Sequence, residues 1–230
     1  MTEAEWVSTE SVVTLRHWLE KHRKKSLRKL RLFGCACCRR LWDHLPDARS
    51  RDAIEAAEKY ADGEIDKKAL ARARRAATSA ARAAPEPPHG PGLNWNDSGL
   101  NWAPEDAAQV LVNLSAYDNF VACTARCGAA AANLGIRSSV EEEVEQAKLL
   151  RDIFGNPFRL ITFSPDWRTD TAVSLARTMY ESREFSAMPI LADALQDAGC
   201  DNDDILSHCR DANQVHVRGC WVVDLVLGKE

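Results

Sequence analysis

The fold class is decided by the stretch Lys29-Leu-Arg-Leu-Phe-Gly-Cys-Ala-Cys-Cys-Arg-Arg-Leu-Trp-Asp-His-Leu45. Its apolar residues recur three, four and seven positions apart, which is the pattern of an amphipathic α-helix and not of a strand. Pro46 follows directly and stops the pattern, because proline lacks the N–H that a helix interior needs. The stretch therefore predicts one helix with a single buried face.

The same periodicity, with capping residues before it and glycine or proline after it, recurs along the rest of the chain. The predicted helices cover residues 11–22, 29–45, 47–60, 66–84, 104–134, 138–154, 169–180, 188–198 and 202–210. A last apolar segment, 220–227, fits a helix or a buried strand, and 156–163 is predicted to be one short extended segment. The sequence predicts an all-α fold, a bundle-like multi-helix globule of eight or nine helices.

One long loop, 85–103, interrupts the helices. It is rich in proline, glycine and tryptophan, and it repeats Gly-Leu-Asn-Trp, once from position 92 and once from 99. A loop of this length is either disordered or functional. It joins a basic helical part, 1–84, which holds 19 Lys or Arg against 12 Asp or Glu, to an acidic helical part, 104–230. We expect the two parts to form one compact domain overall.

Composition narrows the class of protein. No apolar run approaches the roughly 20 residues of a membrane span, and no basic and apolar leader opens the sequence, so we expect a cytoplasmic protein without a membrane partner. Three of the eight cysteines share one predicted helix and cannot pair with each other there, which favours reduced thiols. The motifs GxGxxG, GxxxxGK[ST], GxSxG and HExxH are missing, so no organic cofactor is predicted.

Cysteine and histidine cluster near the C-terminus and indicate a zinc site. The candidate ligands are Cys200, His208, His216 and Cys220, with Cys209 as a substitute and Cys35 and Cys38 as distant ligands. Thiolate and imidazole are the ligands that tetrahedral zinc most often takes in proteins. The spacing matches no standard zinc finger. The alternative is that the cysteines pack as small buried hydrophobes and the histidines cap helices or lie on the surface.

Three functions compete on these residues. The leading hypothesis is a non-enzymatic helical interaction or adaptor module with a structural zinc site, whose partner is another protein. The first alternative is a metal- or thiol-dependent enzyme with a pocket between the Cys35–Cys38 helix and the C-terminal Cys/His segment. The second is nonspecific nucleic-acid binding through the basic stretch 16–40, where phosphates would meet a row of cations. That row consists of Arg23, Lys24, Lys25, Arg28, Lys29 and Arg31.

Four strings resemble a known family: LRLFGCACCRRLW at 30–42, RDIFGNPFR at 151–159, MPILADAL at 188–195 and HVRGCW at 216–221. Together they are similar to a much-duplicated family of bacterial proteins, seen chiefly in planctomycetes, that has no established activity. The resemblance covers about 1–62 and 146–230. It implies a bacterial cytosolic setting, and it favours a shared site among the cysteines and histidines named as candidate ligands.

Overall fold

The computed structural model describes residues 1–22, 26–83 and 117–229. Within these ranges the protein is all-α, as predicted, with eleven α-helices, two single-turn 3-10 helices and no β-strand. The α-helices are α1 (Glu3–Ser8), α2 (Val12–Lys21), α3 (Leu27–Arg39), α4 (Ala48–Ala61), α5 (Lys67–Ala83), α6 (Tyr117–Asn133), α7 (Ser139–Phe154), α8 (Asp170–Ser182), α9 (Met188–Asp197), α10 (Asp203–Arg210) and α11 (Trp221–Leu227). No helix in the described part of the chain combines the length and the hydropathy that crossing a bilayer requires.

Two helices raise the count above the eight or nine predicted. The first, α1, begins with a capping box in which Thr2 accepts from the Glu5 backbone N–H while the Glu5 carboxylate accepts from the Thr2 backbone N–H. The second is α11, which settles the segment 220–227 as a helix. The segment 156–163 forms no strand. Instead, Asn156 Oδ1 accepts from the Phe158 N–H at 3.0 Å, which turns the chain.

The predicted helix 29–45 is corrected in its second half. The α-helix ends at Arg39, and a 3-10 helix follows at Trp42–His44. The reason is local, because the N–H of Leu41 bonds the carbonyl of Cys38, three residues back, which tightens the last turn. Leu41 and Leu45 are nevertheless buried, as the predicted apolar stripe requires, although the α-helix is shorter than predicted.

By its internal contacts the chain divides into two compact units. Unit one holds Met1–Lys29 and Ala147–Glu230, and unit two holds Leu30–Gln146. The predicted boundaries between 1–84, 85–103 and 104–230 fall outside the described residues, as do the 85–103 loop and the start of the helix predicted at 104. Those expectations stay predictions.

Unit one has an apolar core built from its last four helices. α9 packs on α8 and α10, and α11 packs on α8 and α10. The largest fully buried side chains near this core include Leu191, Leu195 and Ile205, and the cysteines Cys200, Cys209 and Cys220 belong to the same cluster. These three cysteines therefore lie in the interior of unit one.

Unit two is centred on the α4–α5 hairpin, whose turn passes through Gly63 with φ +74°. Its core holds Phe33 and Ile54. Inside it, Arg39 is paired with buried Glu58, with Nε and Oε1 2.5 Å apart. The buried carboxylate of Glu58 is thus neutralised within unit two.

Candidate metal centre

Four side chains from separate elements of unit one lie around one point. Asp152 is in the last turn of α7 and His208 in the last turn of α10, while His216 lies in the loop that follows α10. Cys220 is the N-cap residue of α11. One carboxylate oxygen, one nitrogen of each imidazole and the thiol sulfur all lie within 4.8 Å of one another.

Backbone geometry holds the loop in place. The N–H of Val217 donates to Asp152 Oδ2 at 2.9 Å, which ties the loop to the end of α7. The N–H of Cys220 donates to the Val217 carbonyl at 2.8 Å, and Gly219 between them has φ +96°, a conformation that favours glycine. This turn places the side chains of His216 and Cys220 on the same side of the loop, facing Asp152.

The individual distances are short. His208 Nε2 lies 3.3 Å from Asp152 Oδ1 and 3.2 Å from Cys220 Sγ. His216 Nδ1 lies 2.9 Å from the same carboxylate oxygen and 3.8 Å from the same sulfur. Zinc bonds to oxygen, nitrogen and sulfur in a tetrahedron put neighbouring donor atoms about 3.3–3.6 Å apart. These four separations, 2.9–3.8 Å, are close to those that a tetrahedral ion imposes, while the group as a whole spans up to 4.8 Å.

The site is buried. The side chains of Asp152, His216 and His208 are 0%, 6% and 12% exposed, and Cys220 is fully buried. Burial opposes the charge on Asp152, but hydrogen bonds from both histidines hold the pKa of its carboxyl below the ordinary value. Burial, followed by the charge of Asp152, raises the pKa of the Cys220 thiol well above its ordinary value. Without a cation, Cys220 stays a thiol.

A divalent cation would change this balance. A thiolate and a carboxylate supply two negative charges and two neutral imidazoles supply none, so a divalent ion leaves the buried site neutral. A coordinating metal also deprotonates a thiol outright. The donor set therefore fits a divalent metal in both charge and geometry.

The same geometry argues against a catalytic triad. In a triad the imidazole bridges, with one ring nitrogen on the carboxylate and the other on the nucleophile. Here His208 presents the same nitrogen, Nε2, to both Asp152 and Cys220. His216 likewise presents only Nδ1, and its Nε2 is buried with no hydrogen-bond partner. Donor atoms that point at a common centre are arranged for coordination and not for proton relay.

The structure brings together three of the predicted ligands, His208, His216 and Cys220. It leaves Cys200 and Cys209 outside the group. Burial raises the pKa of both thiols, that of Cys209 to about 12. These two cysteines therefore match the alternative reading of small buried core residues.

The distant candidates Cys35 and Cys38 belong to unit two and do not join the donor group. Cys35 Sγ lies 3.8 Å from the Ile54 carbonyl, and Cys38 Sγ lies 3.8 Å from the sulfur of Cys127. All seven cysteines that the structure describes are free thiols and buried. The pocket predicted between the Cys35–Cys38 helix and the C-terminal segment stays a prediction.

The basic row is only partly described, because Arg23, Lys24 and Lys25 lie outside the described residues. In unit one, Arg28 donates to both carboxylate oxygens of Asp224, at 2.6 and 2.9 Å. Lys29 lies over the Phe154 ring. In unit two, Arg31 lies over the Tyr60 ring. The described members of the row thus have contacts within their own units, and nucleic-acid binding stays a prediction.

A cleft of about 750 Å3 opens in unit one beside the donor group. Among the four donors, only His208 lines it, next to Trp221, whose ring centroid lies 5.0 Å from that of the imidazole. A cleft of this volume is in the usual range for small-ligand sites. The donor group therefore adjoins the cleft through one imidazole.

Comparison of the chain with protein-family models, with curated proteins and with solved structures finds no match.

Proposed function

We propose that this chain is a non-enzymatic helical interaction module whose unit one is held together by one structural zinc ion on Asp152, His208, His216 and Cys220. The observation that carries the proposal is that four donor atoms of types that zinc binds lie within 4.8 Å of one another in a buried site, with both imidazoles 2.9–3.8 Å from the carboxylate and the sulfur. Such an ion would link α7, α10, the following loop and α11, which are otherwise joined by apolar packing and a few hydrogen bonds.

Zinc suits the site better than the other common divalent ions. Calcium and magnesium require six or more oxygen ligands, or water molecules in their place, whereas this site offers a single carboxylate among softer donors. Zinc accepts sulfur, nitrogen and oxygen in a tetrahedron, with no preference imposed by its d-electrons. A structural zinc site also has four protein ligands, and a catalytic one keeps an open position for water.

Metal content tests the proposal directly. The full chain, purified without a histidine tag, should carry about one equivalent of zinc, and Cys220→Ser should lose most of it. Cys209→Ser is the matched control, because Cys209 is an equally buried cysteine of the same unit outside the donor group. Its zinc content should equal that of the wild type. Less than about 0.3 equivalent in the wild type would refute the metal centre.

Cobalt substitution separates a structural ion from a catalytic one. Tetrahedral Co2+ bound to one thiolate gives visible absorption bands and a sulfur charge-transfer band, both of which Cys220→Ser should abolish. Adding cyanide or azide should leave the spectrum unchanged, since a saturated site has no position for a further ligand. A spectral change on adding the anion would favour the metal-dependent enzyme over the interaction module.

The interaction role is supported by apolar side chains at the cleft. Leu160 is 90% exposed and Val7 is 61% exposed, and both line it. Large exposed apolar side chains grouped around a cleft are typical of surfaces that bind a partner. We assign the module to a bacterial cytosol, where free thiols of the kind seen here stay reduced.

A further inference from the structure

The cleft of unit one carries an excess of positive charge. Four cationic side chains line it, Lys29, Arg151, Arg159 and Lys229, against two carboxylates. Asp224 is paired with Arg28, and Arg159 is paired with both Asp204 and Glu3, so the positive charge beyond these pairs comes from Lys29, Arg151 and Lys229. A cleft with this balance attracts anions.

Arg151 has a donor available for such an anion. Its Nε donates to the Trp6 carbonyl at 2.9 Å, and its Nη2 donates to the Thr9 carbonyl. These bonds hold the guanidinium at the end of α1. The remaining nitrogen, Nη1, has no hydrogen-bond partner among the described residues. Arg151 is therefore a fixed cation that lines the cleft and retains a free N–H group.

The other walls are apolar and aromatic. Trp221 lines the cleft beside His208, and its ring packs so closely on Gly155 that a Cβ there would meet it at 3.2 Å. Trp6 and Phe154 also line the cleft. A ligand here would therefore need an apolar body as well as a negative charge.

The metal centre adds a donor through His208. With Nε2 on a metal, the imidazole proton must be on Nδ1, which has no partner among the described residues and belongs to a ring that lines the cleft. Without the metal, a neutral His208 uses its Nε2–H on Asp152, 3.3 Å away, and Nδ1 becomes an acceptor that repels a carboxylate. Metal binding thus converts this atom from an acceptor into a donor.

We propose that the cleft binds a carboxylate carried on an apolar body, and that the bound metal strengthens this binding by fixing His208 Nδ1 as a hydrogen-bond donor. The inference rests on the metal centre proposed above. The carboxylate could belong to a small organic acid or to a peptide segment of a partner protein. The chemistry that the cleft recognises is the same in both cases.

Calorimetric titration tests the proposal with matched probes. The first pair is 4-phenylbutyrate and 4-phenylbutyramide, and the second is N-acetyl-Phe-Glu-amide and N-acetyl-Phe-Gln-amide. On zinc-loaded protein, the acid of at least one pair should bind at least about tenfold more tightly than its amide, the effect of one hydrogen bond to a charged group. If the peptide acid binds more tightly than the small acid, the source is a partner protein, and the reverse order indicates a small acid.

Two variants separate the contributions. Cys220→Ser removes the metal without touching the lining of the cleft, and should weaken acid binding about tenfold while leaving amide binding unchanged. Arg151→Gln should also weaken acid binding. Arg168→Gln is its control, because Arg168 likewise donates to a backbone carbonyl of unit one but does not line the cleft. Circular dichroism on each variant confirms that it is folded.

The outcomes are distinguishable because zinc is quantified in the same samples. Equal binding of acids and amides, or no binding, overturns the carboxylate site while the metal centre stands. Acid-selective binding that is identical with and without zinc overturns the role of His208. Absence of zinc from the wild type overturns the metal centre and its coupling to the cleft together.

Discussion

Replacing Arg28 by methionine is expected to destabilise unit one strongly, although Arg28 looks in the sequence like one more surface cation. Its guanidinium makes two hydrogen bonds to the Asp224 carboxylate, at 2.6 and 2.9 Å, and a third to the Tyr180 hydroxyl at 2.8 Å. Methionine keeps most of the aliphatic volume and removes all three bonds. The substitution leaves Asp224 as a charge in the interior.

The burial of the pair sets the magnitude. The side chain of Asp224 is 2% exposed and that of Arg28 is 13% exposed. Removing one partner of a buried ion pair costs about 3–5 kcal/mol, because the remaining charge stays buried after the guanidinium that neutralised it is gone. Since Arg28 keeps some contact with solvent, we take the lower end, about 3 kcal/mol. For a chain of this size that corresponds to a fall in Tm of about 6–12 °C.

The assay is urea unfolding followed by tryptophan fluorescence, with a double-mutant cycle. Asp224→Leu in the Arg28→Met background removes the stranded charge, and should recover most of the lost free energy of unfolding. Arg210→Met is the control, because Arg210 also pairs with a carboxylate of unit one, that of Asp193 at 2.8 Å, but is 42% exposed, and its loss should be close to unmeasurable. A loss below about 1 kcal/mol for Arg28→Met, or a double variant no more stable than the single one, would show that Arg28 is a surface cation after all.

Three further outcomes are expected. If free zinc stands 100-fold above its Kd, chelating it from the wild type should lower Tm by about 5–11 °C. The chelator should not change the Tm of Cys220→Ser, which binds no metal. Scanning calorimetry measures both. Gly155→Ala should cost at least about 1–2 kcal/mol in urea unfolding, because Gly155 has φ +68° and a Cβ would meet the Trp221 ring at 3.2 Å; an unchanged midpoint would contradict it. Hydrogen bonds from the side chain and backbone of Arg49 lower the pKa of Asp47, the N-cap residue of α4, from 3.8 to about 2. The stabilisation of α4 by the ionised Asp47 is therefore complete above pH 4 and is lost as the pH falls through 2. Carboxyl NMR should give that pKa, and Arg49→Met should return it toward its ordinary value.

Most of the helices could be predicted because their signals are local. The apolar stripe around Phe33 and the cap at Thr169 depend on neighbours three or four residues away, which a sequence displays directly. α1 was missed because it has six residues and buries only Trp6, too few for a periodicity to show. Its one visible signal was the capping box of Thr2 and Glu5.

The types of ligand at the candidate site could be predicted from the sequence, but only some of the residues that supply them could be. Clustering of cysteine and histidine near the C-terminus pointed to His208, His216 and Cys220. The sequence alone does not show that Cys220 joins the donor group and Cys209 does not. Both are buried thiols of the C-terminal segment, and only the fold places the Cys220 sulfur beside the other donors. Asp152 is distant in sequence from the other three donors, so no spacing rule connects it to them.

A different signal could have found Asp152, and it also explains why this residue points to a metal. Asp152 lies on the apolar stripe of α7 beside Leu149 and Ile153, as Asp224 lies among the valines of α11, and a carboxylate on such a stripe must find a partner inside the protein. Asp224 finds the permanently charged guanidinium of Arg28. Among the described residues, Asp152 meets only two imidazoles and a backbone N–H, beside a thiol that is itself a potential anion. Asp152 and Asp224 are thus buried acids with the same local sequence pattern, but in the part of the chain that the structure describes only Asp224 has a permanently charged side chain beside it. A divalent metal ion would supply the missing positive charge at Asp152.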